Sequence, residues 1–141
     1  MPSANQIESR LRELALAFPE TREDFPWGER VIKVRDKIFL FVRAEKSKLS
    51  ITVKLKLLHR AALKIPRVKR TGYGLGKHGW VSGTFSANEM PSPELLRLWV
   101  NESFRLVAPK KLVDALDELD GSDDEKEFLR PLIRSRRKRQ R

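Results

Sequence analysis

Leu49-Ser50-Ile51-Thr52-Val53-Lys54-Leu55 alternates apolar and polar residues without a break. Successive side chains of an extended chain point to opposite faces, so Leu49, Ile51, Val53 and Leu55 share one face and Ser50, Thr52 and Lys54 the other. This is the pattern of an antiparallel strand with one face on a core and one in water. Upstream, Val31-Ile32-Lys33-Val34-Arg35 and Lys37-Ile38-Phe39-Leu40-Phe41-Val42 also read as strands. Their connections, Arg35-Asp36-Lys37 and Arg43 to Lys48, are too short for helical crossovers and predict hairpins. Thr21 to Phe25 reads as a further short strand, followed by a turn at Pro26-Trp27-Gly28-Glu29. The exposed face of this sheet and its loop tips are expected to carry Lys33, Arg35, Lys37, Lys46, Lys48 and Lys54.

Helices flank the strands. Ile7, Leu11, Leu14, Ala15 and Phe18 recur at helical spacing, Ser3-x-x-Gln6 forms a capping box, and Pro19 stops the helix. Leu57 to Ile65 reads as a short helix ended by Pro66. Ser92 and Pro93 open a longer one, with Leu95, Leu96, Trp99, Val100, Phe104, Leu106 and Val107 turned towards a core. Pro109 begins a last helix through Leu119, with Gly121 as its cap. Trp27 and Trp99 read as packing residues. The whole is a single α+β domain: an antiparallel sheet with helices packed on one face.

Gly72-Tyr73-Gly74-Leu75-Gly76-Lys77-His78-Gly79-Trp80-Val81 holds four of the chain's seven glycines. Gly74-x-Gly76-x-x-Gly79 matches a dinucleotide fingerprint literally, but the segment that follows, Gly79 to Phe85, reads as extended. The fingerprint needs a helix there to meet the pyrophosphate. A Walker loop would require Gly at position 71 and Ser or Thr at 78, where Thr71 and His78 stand. Arg67 to Thr71 reads as an extended basic lead-in, and Trp80, Ser82 and Thr84 as one face of the final strand.

The 141 residues fit one domain, with no apolar run of membrane-spanning length, no secretory leader pattern and no Cys. A cytoplasmic protein that binds no membrane is the expectation. The net charge of +11 is unevenly placed. Arg30 to Lys77 holds 15 Lys and Arg against Asp36 and Glu45, a net +13, which leaves −2 for the remainder. Such a segment attracts polyanions through a term that ignores sequence. From residue 121 the composition changes to an acidic run and then to a tail with six basic residues in the last eight. Residues 1–120 are therefore read as the domain and 121–141 as a charged, disordered tail.

No catalytic set is legible. His59 and His78 are the only imidazoles and match no zinc spacing, so no metal and no cofactor are expected. No Ser is tied to a His and an acid, and Glu23 and Asp24, adjacent on a strand, face opposite ways. What remains suits polyanion binding. Arg67, Lys69 and Arg70 precede the glycine stretch, Lys77 lies within it, and Tyr73 and Trp80 flank Lys77. Glycine lets backbone approach phosphate oxygens, Lys supplies point charge, and rings between cations stack on bases. The alternative is that Tyr73 and Trp80 pack and the glycines merely shape a hairpin.

Glu23-Asp24-Phe25-Pro26-Trp27-Gly28, Val31 to Val34, Lys37-Ile38-Phe39, Gly72 to Val81 and Glu102 to Leu112 together resemble the small bacterial MmcQ/YjbR-type proteins. The resemblance spans roughly residues 5–119. It implies a fold like that of frataxin-type CyaY proteins and the family's usual label of DNA binding through hairpins. Carried over by position, it implies Lys33, Lys37, Lys77 and Trp80 as contacts. The acidic first-helix ridge of frataxins is missing here, where only Glu8 and Glu13 stand. The expected function is a non-enzymatic nucleic-acid-binding module, preferring DNA to RNA and with little sequence preference. Lys33, Lys37, Lys54, Arg67, Lys69, Arg70, Tyr73, Lys77 and Trp80 are its candidate contacts. A small-anion or phosphate-ligand domain centred on the glycine stretch, or a protein-interaction adaptor, is the alternative.

Overall fold

Hairpins build the sheet and two long helices close it. The computed structural model describes residues 3–118; the side chain of Trp27 is outside that description. The order is α1 (Ala4–Ala17), β1 (Thr21–Asp24), β2 (Val31–Val34), β3 (Lys37–Glu45), β4 (Lys48–Lys54), α2 (His59–Leu63), β5 (Val68–Arg70), β6 (Trp80–Phe85), α3 (Pro93–Val107) and α4 (Lys110–Glu118). The strands form one sheet in the order β1-β2-β3-β4-β6-β5, antiparallel at every pairing.

The alternation of residues 49–55 fixes which face is buried. Leu49, Ile51 and Val53 lie opposite Phe85, Gly83 and Val81, and opposite Ala44, Val42 and Leu40 on the other side. All four helices send residues into the same core cluster as these side chains. At its centre Phe18 stacks on Phe104 (ring centroids 4.4 Å apart) and Phe39 meets Phe104 edge-on at 5.3 Å. On the outer face hydroxyls replace methyls: Thr52 and Ser82 lie 2.8 Å apart, as do Thr71 and Ser82.

Local chemistry sets the boundaries. The Gln6 N–H donates to Ser3 Oγ (3.2 Å) and the Ser3 N–H to Gln6 Oε1 (2.8 Å), closing the expected capping box. Ser92 caps α3 through the Leu95 N–H. The loop expected from Arg43 to Lys48 tightens to a two-residue turn at Lys46-Ser47. Both residues take positive φ (52° and 65°), the hand that matches strand twist. The helix expected over 57–65 is shorter, His59–Leu63, and the Leu57 and Leu58 N–H groups ahead of it donate to Glu102 of α3. Leu119, Gly121 and the charged tail lie outside the described residues.

Candidate functional site

β5 is the edge strand, and its neighbours Lys69 and Arg70 necessarily point to opposite faces. Lys69 pairs with Ser82 on the outer face. There, with Lys48, Arg67, Ser82, Thr84 and Glu89, it lines a groove of about 480 Å³. Arg67 Nε donates to Glu89 Oε2 at 3.0 Å. That bond, helped by the Ser86 hydroxyl, holds the Glu89 carboxyl below its ordinary value.

Arg70 turns the other way, opposite Val81, into an open concavity of about 550 Å³ at the end of the sheet. Lys54, Lys56, His59, Lys77 and His78 share that concavity, over Leu55 and Leu106; no Asp or Glu lines it. Among the described residues, none of Lys54, Lys56, Arg70 and Lys77 is within 4.0 Å of a carboxylate. Four uncompensated cations at one concave surface raise a potential that an anion relieves. His59, in the same wall, has its Nε2 buried and without a hydrogen-bond partner.

The core holds these residues in place. Ser103 Oγ accepts from the Lys54 N–H at 2.9 Å and donates to the Phe39 carbonyl at the β-bulge, where Phe39 is the extra residue. Glu102 is buried, and its carboxylate accepts from Leu57 N–H (2.6 Å) and Leu58 N–H (3.1 Å), fixing the turn between Lys56 and His59. On the far wall, Thr71 N–H bonds to Trp80 O, Gly76 N–H to Thr71 O, and Leu55 N–H to Gly79 O. Gly79 sits at φ +95°, and a Cβ there would come within 2.6 Å of the Leu55 carbonyl oxygen, so only glycine fits. At the tip, Tyr73 and Gly74 (φ +58° and +78°) form a turn closed by Leu75 N–H to Gly72 O, and Tyr73 stands fully exposed.

The candidate contacts therefore divide. Lys54, Arg70 and Lys77 share the concavity, Arg67 and Lys69 the outer groove, and Tyr73 the loop tip between them in sequence. Trp80 is half-buried on the outer face against Phe41, with ring centroids 6.0 Å apart. Lys33 and Lys37 line neither hollow: Lys33 on β2 stands three strand spacings, about 14 Å, from β6, and Lys37 at the start of β3 two, about 10 Å. Lys33 Nζ is also 2.8 Å from Asp24, whose carboxyl is held low chiefly by Lys33 and then by the Phe25 N–H. Arg35, expected at a loop tip, is bonded there to Glu20 at 2.9 Å. Sequence reasoning missed Lys56, which continues the Ser50-Thr52-Lys54 face by one step, and the part of His59, His78, Glu102 and Ser103 in this wall.

Among the described residues no group of three or more His, Asp or Glu is placed to hold a metal, and no helix is long and apolar enough to cross a membrane. The molecule is thus an α+β domain with a cluster of uncompensated cations at one sheet edge, around a glycine-pinned loop. A family model described as YjbR matches residues 16–106, and the chain belongs to that family. Among solved structures it is similar to Deinococcus radiodurans protein DR2400, of domain family DUF419. That similarity has a TM-score of 0.55 at 22% identity over 86% of each chain, a likeness of fold. No match was found among curated proteins.

Proposed function

We propose that this protein binds nucleic acid, DNA in preference to RNA, through phosphate contacts along the β5 edge, without catalysing a reaction and in the bacterial cytoplasm. The observation that carries the reading is the run of cations around one edge strand: Lys48 and Lys69 at the outer groove, Arg70, Lys77, Lys54 and Lys56 at the concavity, none paired with a carboxylate among the described residues. Phosphate contacts position a protein on a strand without reading sequence, so little sequence preference is expected. Tyr73, exposed beside this run, supplies a face on which a base stacks. Relative to the sequence-based contact set, Lys33 and Lys37 leave the interface and Lys56 enters it.

The test is fluorescence anisotropy on the full chain with labelled duplex DNA, single-stranded DNA and RNA over a salt series. A folded-domain interface gives steep salt dependence. Lys69→Ala and Lys77→Ala should each flatten the slope by about one unit, while Lys33→Ala leaves it unchanged. A second variant carries Gln at the six Lys and Arg of residues 134–141. Loss of all binding in that variant would move the function from the domain to the tail.

A further inference from the structure

We propose that the concavity rimmed by Lys54, Lys56, Arg70 and Lys77 takes a terminal phosphate, a phosphate monoester dianion, in preference to the phosphodiester of a continuing strand. The inference rests on the polyanion reading of the β5 edge and gives one end of that edge a separate role. The two sides of β5 differ in shape and in charge compensation. Outside, Lys69 lies among hydroxyls and beside an Arg67 already bonded to Glu89. At the concavity, cations arrive from three separate segments, the end of β4, the edge strand and the glycine loop, and no carboxylate lines the space.

A phosphodiester carries one charge and two free oxygens, and its other two oxygens lead to sugars on either side. It suits an open groove. A monoester carries between about −1.5 and −2 at pH 7 and presents three oxygens to donors converging from different directions. A volume of about 550 Å³ is within the range of small-ligand sites, enough for a phosphate and the sugar that bears it. His59 adds a buried ring nitrogen with no partner in the same wall.

Calorimetric titration of the full chain at about 0.15 M salt tests this with oligonucleotides of about 12 residues. These carry a 5′-phosphate, a 3′-phosphate or hydroxyls at both ends, and deoxynucleoside monophosphate and inorganic phosphate serve as small probes. One of the phosphorylated ends should bind about tenfold more tightly than the hydroxyl-ended strand, the effect of a further pair of charge-assisted hydrogen bonds. Arg70→Ala/Lys77→Ala should abolish that gap, whereas Lys69→Ala should weaken all three strands alike. Equal affinity for the three strands overturns the proposal and leaves the edge reading standing, as does a gap that survives Arg70→Ala/Lys77→Ala. Binding of the small probes that depends on Lys77, with no binding of any strand, supports the monoester site and removes the nucleic-acid reading. No binding of either removes both.

Discussion

The two ends of the sheet carry comparable numbers of Lys and Arg and compensate them differently. Around β1, β2 and the turns that flank them, most cations meet an acid: Lys33 meets Asp24, Arg35 meets Glu20, Arg22 meets Asp36, and Arg30 reaches Glu8 and Glu23 at 2.6 Å each. Along β4, β6 and β5 the chain places Lys54, Lys56, Lys69, Arg70 and Lys77 with no acid within reach among the described residues. The first arrangement ties an edge strand and the first helix to the sheet. The second leaves a potential directed outwards. A count of Lys and Arg along the sequence weighs both ends equally, yet only the second leaves most of its cations without carboxylate partners among the described residues.

The largest expected effect comes from removing what holds the uncompensated end in shape. Glu102→Ala leaves two N–H groups in a part-buried turn without their acceptor and should cost about 2–5 kcal/mol in urea unfolding. It should weaken binding as well, since the turn carries Lys56 and leads into His59. Next, Lys54→Ala/Arg70→Ala/Lys77→Ala should lower affinity for DNA about a hundredfold at 0.15 M salt and reduce the salt slope by roughly three units, read by anisotropy. An unchanged slope would mean that these cations touch no phosphate.

The converse experiment erases the contrast. Glu20→Gln/Asp24→Asn releases Arg35 and Lys33 from their carboxylates and should raise DNA affinity a few-fold, with a steeper salt slope. The smallest effect is on pH dependence. Glu20 is held below its ordinary value by Arg35, Asp24 by Lys33 and Glu89 by Arg67. A depressed carboxylate contributes stability that is present above its unfolded value, near 4, and is lost as pH falls through the lowered folded value. Thermal melts from pH 6 to pH 3 should therefore fall less for Glu20→Gln/Asp24→Asn/Glu89→Gln than for the parent. These groups are exposed, so the difference should be small.

The sheet was legible because one strand alternates perfectly and because hairpin connections leave little choice of partner. The caps of α1 and α3 were legible because Ser3, Gln6, Ser92 and Pro93 act within one helical turn. The family was legible from ordered motifs, and the matched span of residues 16–106 bears it out. What joins Lys54 to Arg70 and Lys77 is the pairing of β4 with β6 and of β6 with β5, contacts between residues far apart in sequence. No local pattern carries that information. The ion pair of Lys33 was not legible for the same reason, since its partner Asp24 is set by the β1–β2 register. Glu102 did leave a signal: an acid between Asn101 and Ser103 at buried positions of an apolar helix needs a donor, and two backbone N–H groups supply it.

Ser103 and Glu102 have a further consequence for motion. The Lys54, Leu57 and Leu58 amides, on either side of the cationic rim, all donate to side chains of the central helix α3. Amides held in this way exchange with solvent through openings that dislodge the helix. That helix carries Trp99, Val100 and Phe104, all fully buried. The floor of the concavity therefore belongs to the same cooperative unfolding unit as the core, and these three amides should exchange at rates set by global unfolding. On this expectation the backbone floor is formed before any ligand arrives, and only the side chains of the rim are left to adjust.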